Sequence, residues 1–485
     1  MKKVMHREMV GHLYHQDQRK AIRKAIKRHR RSNDKAAEAH DWGRLGTIDL
    51  NKGRYEKACK SYQRALKIMQ QIDDEKGQFI VLYALATVDM KRGDYDSARN
   101  KYLEILERFQ DTDALDDVAS TWCGLGLVDT YQDKYDSARD SFQRALEIHQ
   151  KTGDKANEIS TRDNLALVQL GLNDYEAAHE NIQKALEIAQ KIGDKASEPA
   201  ILQKLALTEL RLGDHEAAYE NFQRLLKLKQ KTGDKVGEAA TWQDMIEIDV
   251  SQERYESALE KLQKVLDIWL EVGNEAGEAE VRHHMGSIRL NLGDASSAQE
   301  DFQRSLSIWQ TAGDEKCEAV AWHNLAAVDI DRDDFEAALE KNQKALDIEQ
   351  RIGDKKGEAT TWHNMAKIDL SRGEYEAGVE KLQKSLAINQ EIGEVVGEAM
   401  NFAQLGIAAE KMGRDEEGLQ LVALGISILV YINSLTARQL EPAADGIISQ
   451  LDYTREQFDA MLQEAAEAYQ QDRGQSLIDA AFGDA

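Results

Sequence analysis

The chain has 485 residues, with 63 lysines and arginines against 87 aspartates and glutamates, a formal net charge of −24 and two prolines. So few prolines argue against proline-rich linkers and most β architectures, and 42% hydrophobic residues argue against whole-chain disorder. Long helices are therefore the expected secondary structure.

The cysteines and the apolar stretches indicate the compartment. Cys59, Cys123 and Cys317 include no close pair that could frame a zinc site or a disulfide scaffold, so we expect free thiols in a reducing compartment. The N-terminus lacks the continuous apolar run of a signal peptide. The longest mainly apolar stretch, Leu421–Ile432, is shorter than the roughly 20 residues of a membrane-spanning helix. We expect a buried helix there and a cytoplasmic protein without a membrane span.

The first predicted element is a basic helical arm at residues 1–33. It holds 11 basic and two acidic residues, so its charge of +9 stands against −33 for the rest of the chain. Ile22 and Ile26 lie four residues apart on its apolar side. Such an arm can dock on the acidic part of its own chain or of another copy, or it can bind nucleic acid or an anionic membrane. We favour docking and expect no nucleic-acid partner, because the acidic body repels polyanions.

Ten repeats of 40 residues follow and span residues 34–433. The tripeptide Gly93-Asp94-Tyr95 marks the turn inside one repeat, and related tripeptides such as Gly373-Glu374-Tyr375 recur at multiples of 40 residues. Each repeat has two stretches with apolar residues spaced three and four apart, which predicts two amphipathic helices. A single helix pair cannot bury both apolar faces, whereas stacked pairs can. The sequence therefore predicts an all-α solenoid of helix-turn-helix repeats.

Turn and cap residues recur between the repeats. A glycine that tolerates the left-handed conformation precedes an aspartate suited to an N-cap at Gly153-Asp154, Gly193-Asp194, Gly233-Asp234, Gly313-Asp314 and Gly353-Asp354. A glutamate follows four residues after the cap, as at Glu158 and Glu358, and we expect it to complement the helix dipole. Acid–base pairs four residues apart on the second helices, such as Glu340 and Lys344, predict a solvated face rather than a charged binding track.

The repeat pattern resembles the tetratricopeptide repeats. One copy carries the whole pattern, in Trp122, Leu125, Gly126, Tyr135, Ala138, Phe142 and Ala145. The 40-residue length is similar to that of the partner-of-inscuteable class of adaptors. The resemblance implies a right-handed superhelix whose concave groove is lined by the first helices. It also implies that the groove binds peptides or partner proteins and that the protein is not an enzyme.

Candidate binding residues come from the family positions that face this groove, because they differ between repeats. They are Asn164, Gln203, Lys204, Gln243, Asp244, His283, His284, His323, Asn324, His363, Asn364 and Lys367. In family members an asparagine at the sixth position commonly hydrogen-bonds an extended peptide, and Asn164, Asn324 and Asn364 occupy that position. The later repeats offer the more polar surface. A hydrated groove without a dedicated ligand is the alternative.

We expect no metal site, cofactor or catalytic activity. His283, His323 and His363 fall on helices stacked about 8 to 10 Å apart, whereas zinc needs donors at about 2 Å. His12 and His15 have helical spacing but supply only two ligands. The sequence lacks a P-loop, an HExxH motif, a GxSxG elbow and a GxGxxG turn after a strand.

Four large side chains break or extend the repeat pattern. Arg162 and Arg282 stand where five other repeats have tryptophan, and we expect them to extend toward the groove edge. Trp269 and Trp309 occupy one equivalent position in neighbouring second helices. We interpret them as core between repeats, with an aromatic patch for a partner as the alternative.

Residues 434–485 lose the 40-residue register and predict a helical C-terminal cap or tail. The segment from Thr454 to Gln457 fits a capping box. A tail that docks into another molecule's groove is the alternative to a cap. An apolar stripe follows, made of Phe458, Met461, Leu462, Ala465 and Tyr469.

The function predicted from these features is a scaffold that binds a peptide or partner protein in the concave groove. A self-assembling structural protein that forms a head-to-tail homo-oligomer is the first alternative. A nucleic-acid-associated regulator that uses the basic arm is the second.

Overall fold

A computed structural model describes residues 18–109, 115–432 and 454–483. All regular secondary structure in those residues is helical, which confirms the predicted all-α class. The chain divides into two compact units, unit 1 up to Asp234 and unit 2 from Lys235. His12 and His15 lie outside the described residues.

Repeats are numbered here by the 40-residue register, so that each consists of a first and a second helix. Unit 1 contains α1 (18–31), α2 (Lys35–Leu50), α3 (Tyr55–Gln71), α4 (Glu75–Arg92), α5 (Tyr95–Phe109), α6 (Leu115–Tyr131), α7 (Tyr135–Thr152), α8 (Lys155–Gly171), α9 (Tyr175–Ile192), α10 (Glu198–Arg211) and α11 (His215–Thr232). Unit 2 contains α12 (Lys235–Ser251), α13 (Tyr255–Val272), α14 (Glu275–Asn291), α15 (Ala295–Ala312), α16 (Glu315–Asp331), α17 (Phe335–Ile352), α18 (Lys355–Ser371), α19 (Tyr375–Ile392), α20 (Val395–Lys411), α21 (Asp415–Tyr431), α22 (Arg455–Asp472) and α23 (Gln475–Phe482). From α2 to α21, even numbers are first helices and odd numbers are second helices.

The predicted turn chemistry fixes these boundaries. Gly153 ends α7 in the left-handed region at φ 77°, and the Asp154 side chain then accepts a hydrogen bond from the backbone N–H of Asn157 at 3.1 Å. The helix α10 starts later in its repeat than its counterparts do, at Glu198. Pro199 explains this, because its ring and missing N–H prevent a helix from running through it from residue 195.

A buried polar seam joins the two helices of most repeats. In repeat 9 the Lys381 ammonium on α19 donates to Asp369 at the end of α18, and Asp369 is 1% exposed. Repeats 2, 6 and 8 have the same arrangement, in Lys101–Asp89, Lys261–Asp249 and Lys341–Asp329. A buried carboxylate without its cation costs about 3 to 5 kcal/mol. These pairs therefore constrain how each first helix meets its second.

The helix α1 continues this register before repeat 1. Arg19 donates to Asp49 at 3.0 Å, and Arg99 of the second helix α5 donates to Asp129 across the same separation of 30 residues. Ile22 and Ile26 are buried against the core of α2. The described part of the basic arm thus occupies the place of a second helix and packs on its own chain.

We predicted a solvated face of acid–base pairs on the second helices, but the bases of these pairs also contact tryptophans of the first helices. Lys344 does contact Glu340 at 2.7 Å, but its ammonium also lies 4.7 Å from the ring centre of Trp322. The indole N–H of Trp322 donates to Glu318 at 3.4 Å, and Gln310 of the preceding second helix donates to the same carboxylate at 2.9 Å. The glutamate after the cap thus links neighbouring repeats, a role that the dipole interpretation missed. Cations also cover the tryptophans in Arg64–Trp42, Arg144–Trp122, Lys264–Trp242 and Lys384–Trp362.

The side chains that break the tryptophan pattern are held internally. Arg162 is 6% exposed and donates to Glu158 and to Asn181, so the expected extension to the groove edge is wrong: a carboxylate four residues earlier holds the guanidinium inside. Arg282 is likewise paired with acidic side chains. Trp269 and Trp309 are each 8% exposed, which confirms the core interpretation.

The helices α22 and α23 cover the last helix pair. Phe458 and Ile478 are buried in one core with residues of α20 and α21. The Tyr469 hydroxyl donates to Glu398 at 2.7 Å, and the capping box predicted at Thr454 is present. Among the described residues, none of the helices has both the length and the apolar character needed to span a bilayer.

Candidate functional site

The predicted binding residues of unit 2 lie at matching positions of successive first helices, α12, α14, α16 and α18. Their neighbours come into contact across a separation of 41 residues: the Asn324 side-chain amide lies 3.0 Å from Nδ1 of His283. Matching positions on stacked helices share one face. The repeat therefore brings these residues together along one surface, called here the first-helix face of unit 2.

His323 and His363 belong to the interior side of this surface. The two ring nitrogens of His323 lie 3.0 Å from the Asn342 side chain and 2.9 Å from Glu349. Nδ1 of His363 lies 2.7 Å from the side-chain oxygen of Asn401. Both rings are thus engaged inside the protein, and burial lowers the pKa of His363. Both ring nitrogens of His323 and Nδ1 of His363 are therefore used to position helices.

His283 is neutral for a similar reason. Its ring centre lies 5.9 Å from that of Phe302 and 5.7 Å from that of Trp309. Burial among these rings, with His284 beside it, lowers the pKa of His283 to about 4. His284 is exposed on the same face. His283 therefore presents an uncharged edge to a ligand at neutral pH.

Asn364 and Lys367 are two groups on this face that the protein leaves available. The Asn364 amide is half-buried and has no hydrogen-bond partner among the described residues, while Lys367 is exposed. Lys367 and Lys411 stand at the rim of an open pocket of about 240 Å³ between α18, the start of α19 and α20. The other lining residues are Leu370, Ser371, Tyr375, Gln404, Ile407 and Ala408. Apolar side chains beside cations suit a ligand that carries a carboxylate next to an apolar group. Lys411 is also paired with Glu410 at 3.2 Å, so a ligand carboxylate would share this cation.

Asp244 provides the opposite charge on α12. Its side chain is half-buried beside Gln243, and its Oδ2 atom is buried without a hydrogen-bond partner among the described residues. Burial, with Glu247 nearby, raises the pKa of Asp244 to about 6. A cationic group of a ligand would satisfy this carboxylate.

The first-helix face of unit 1 differs in character. Lys204 donates to Asp163 at 2.5 Å, so these two side chains satisfy each other. Gln203 is exposed and Asn164 is half-buried. Leu167 and Leu207 are 54% and 42% exposed at matching positions of α8 and α10. Sequence reasoning missed these leucines, although their recurrence at 40 residues within the first helices was a usable signal.

The family assignment rests on a direct match. A family model described as tetratricopeptide repeat matches residues 36–111, 117–191, 198–271 and 277–351, which together make up more than half of the chain. The chain belongs to the tetratricopeptide repeat family. This confirms the resemblance, while the narrower likeness to the partner-of-inscuteable class stays a prediction. A search of curated proteins gave no match.

Solved structures resemble parts of this chain at low identity. BtubC (BKLC) from P. vanneervenii is 20% identical, with 45% of this chain and 92% of that chain covered and a TM-score of 0.42. A putative kinesin light chain with nearly identical repeats from Podosopora anserina is 15% identical, with 40% and 96% covered and a TM-score of 0.37. The signal transduction ATPase PH0952 from Pyrococcus horikoshii, whose sensor is a tetratricopeptide repeat, is 15% identical, with 82% and 55% covered and a TM-score of 0.46. These likenesses concern the fold alone.

Proposed function

We propose that the protein is a non-catalytic interaction scaffold whose unit 2 binds an extended segment of a partner protein along its first-helix face. Membership of the tetratricopeptide repeat family supports the general role, since family members bind protein partners. The proposal adds which surface is used and what chemistry the partner brings to it.

The half-buried amide of Asn364 is the observation that carries the proposal. A side-chain amide offers two donors and an acceptor, which match the N–H and C=O groups of an extended peptide backbone. A polar group that is partly removed from water and left unpaired costs free energy, and binding a peptide removes that cost. Asn324 presents the same group one repeat earlier, although part of it already contacts His283.

The charges on the face give the partner segment a direction. Lys367 and Lys411 favour an acidic group at the α18–α20 end, whereas Asp244 favours a basic group at α12. A segment with a basic residue at one end and an acidic residue at the other would satisfy both. The reverse order would place like charges together.

Site-specific photocrosslinking tests the surface. With p-benzoylphenylalanine in place of Lys367, the protein should crosslink to its partner in a lysate of the source cells. The same probe in place of Gln343, an exposed residue of the second helix α17, is the matched control. Crosslinks of equal yield to the same protein at both positions would reject the first-helix face as the binding surface.

Self-assembly is the weaker proposal, because the described parts of both ends pack on their own chain. Arg19, His29 and Arg30 of α1 contact acidic residues of the adjacent α2. The helices α22 and α23 pack on α20 and α21 through apolar side chains. Docking of the basic arm on another copy stays a prediction, which light scattering at low and high salt can test.

A further inference from the structure

Three ligand-bearing side chains of unit 1 come together away from the first-helix face. They are Asp116 in the first turn of α6, His149 near the end of α7 and Asp154 at the N-cap of α8. One ligand atom from each lies within 4.8 Å of the other two. No other set of three such residues meets this condition among the described residues.

The imidazole of His149 adds an unsatisfied buried polar group to this cluster. His149 is 1% exposed, and its buried Nδ1 atom has no hydrogen-bond partner among the described residues. Buried polar groups in native proteins nearly always have a partner.

The equivalent junction in repeat 5 shows how a cation can pair with the carboxylate at this position. There Lys229 stands at the position of His149, and its ammonium donates to Asp234, the counterpart of Asp154, at 2.7 Å. Ala196 stands at the position of Asp116. Repeat 5 therefore supplies a cation to one carboxylate from its own chain. Repeat 3 has two carboxylates and the His149 imidazole at the same place, and among the described residues no lysine or arginine forms an ion pair with either carboxylate.

We propose that Asp116, His149 and Asp154 bind a divalent transition-metal ion. One imidazole and two carboxylates are a ligand set suited to Zn²⁺ or Mn²⁺, and the two carboxylates balance the charge of the ion. Two ligand atoms that bind one ion at about 2 Å lie roughly 3 Å apart, so a small inward rotation closes the site. Asp116 is exposed and can make that movement. Asn157 holds the Asp154 carboxylate through its side-chain amide at 2.7 Å.

Such an ion would join the start of α6, the end of α7 and the start of α8. It would therefore tie repeat 3 to repeat 4 within unit 1. The remaining coordination positions would be open to water.

The chain itself supplies variants that should fold. Phe109, Trp269 and Trp309 occupy the His149 position in other repeats, so His149→Phe replaces the ligand with a residue that the fold already uses there. Asp154→Asn keeps an N-cap, as Asn274 does at its own helix. His40→Gln removes an exposed histidine outside the cluster and is the matched control.

Calorimetric titration of the full chain with Zn²⁺ and with Mn²⁺, after removal of metal by a chelator, tests the site. The wild-type protein and His40→Gln should bind one ion with equal affinity. Removing a residue that only hydrogen-bonds a metal ligand costs about 10- to 100-fold in metal affinity. His149→Phe and Asp154→Asn change a ligand itself, so each should lower the metal affinity by at least that factor. The Mn²⁺ titration distinguishes binding at this site from binding to the three cysteine thiols, because thiols prefer softer metals.

Thermal unfolding gives a second readout that does not depend on the heat of binding. Saturating Zn²⁺ should raise the Tm of the wild-type protein and leave that of His149→Phe unchanged. The proposal is overturned if the wild-type protein binds no ion at 100 μM metal. It is also overturned if His149→Phe binds with unchanged affinity, or if Zn²⁺ shifts both Tm values equally.

Discussion

Repeats 7 and 9 of unit 2 build the same seam with opposite charges. In repeat 9 the acid, Asp369, lies on the first helix and the base, Lys381, on the second. In repeat 7 the base, Arg289, lies on the first helix and the acid, Asp301, on the second, again 12 residues later. A charged side chain buried at this position of repeats 7 and 9 thus has an oppositely charged partner on the other helix, but either helix can carry the acid.

The contrast distinguishes positions that build the fold from positions that are free to bind. In repeats 2, 6, 7, 8 and 9 each buried seam charge is matched by an opposite charge on the other helix of the same repeat. Asn364 on the first-helix face has no such compensation among the described residues. We infer that the seam is constrained by folding and the face by a partner.

The largest expected effect comes from breaking the seam of repeat 9. Lys381→Met leaves the buried Asp369 without a cation and should lower the free energy of unfolding by about 3 to 5 kcal/mol. Arg289→Met should cost clearly less, because Asp301 keeps Arg282 at 3.4 Å. Urea unfolding of the two variants measures the difference, and equal losses would show that the seam pairs are not what stabilises these repeats.

A charge swap sharpens the comparison. Asp369→Arg combined with Lys381→Asp copies repeat 7 into repeat 9. The double variant should recover about 1 to 3 kcal/mol relative to the sum of the two single changes. Additive losses in the same urea experiment would mean that the orientation of the pair is fixed by its surroundings.

Acid should destabilise unit 2 through His283. Its pKa is about 4 in the folded chain and near 6.5 when unfolded, so the unfolded state binds more protons between these values. Stability from this group is present above pH 6.5 and is lost as the pH falls toward 4. After allowance for partial solvent screening we expect a loss of about 1 to 2 kcal/mol.

The variant His283→Tyr provides the control, because Tyr83 occupies the same position in repeat 2. It should remove this part of the pH dependence. Asp244 acts in the opposite direction, since its raised pKa favours folding as the pH falls toward 4. The informative quantity is therefore the difference between wild type and His283→Tyr in Tm measured from pH 7 to pH 4. An unchanged profile would contradict the account of His283.

The smallest stability effect concerns the cations that cover the tryptophans. Lys344→Gln removes the ammonium over Trp322 and should cost about 0.5 to 1 kcal/mol. Lys184→Gln is the matched control, because repeat 4 has Arg162 in place of the tryptophan. Equal Tm shifts for the two variants would assign the effect to the ion pairs with Glu340 and Glu180 instead.

Much of this fold follows from the sequence because its determinants are local. Gly153 and Asp154 specify a helix end and a helix start within two residues. The same pair of turn residues then recurs at multiples of 40 residues. The seam was missed because Asp369 and Lys381 meet only once the angle between two helices is known. Arg162 was placed wrongly because the depth of a side chain depends on a partner, Glu158, whose own burial no local pattern reveals.

The arrangement of the candidate residues on one face was predictable, whereas their role in binding a partner stays a prediction. Equivalent positions on stacked helices were enough to place Asn324 and Asn364 on one face. Whether a histidine points inward, as His323 and His363 do, depends on a small rotation of its helix. The cluster of Asp116, His149 and Asp154 was not foreseen, because it joins three helices through residues with no motif spacing.

The central claim is that the first-helix face of unit 2 binds a partner through Asn364. The direct measurement is quantitative affinity capture from source-cell lysate, with wild type, Asn364→Ala and the control Gln383→Ala on second helix α19 as baits, each checked for equal helicity and Tm. The account predicts that Asn364→Ala retains about 2- to 12-fold less of a specific partner, which corresponds to one hydrogen bond of about 0.5 to 1.5 kcal/mol, while Gln383→Ala retains as much as wild type. Equal retention by all three proteins would contradict it.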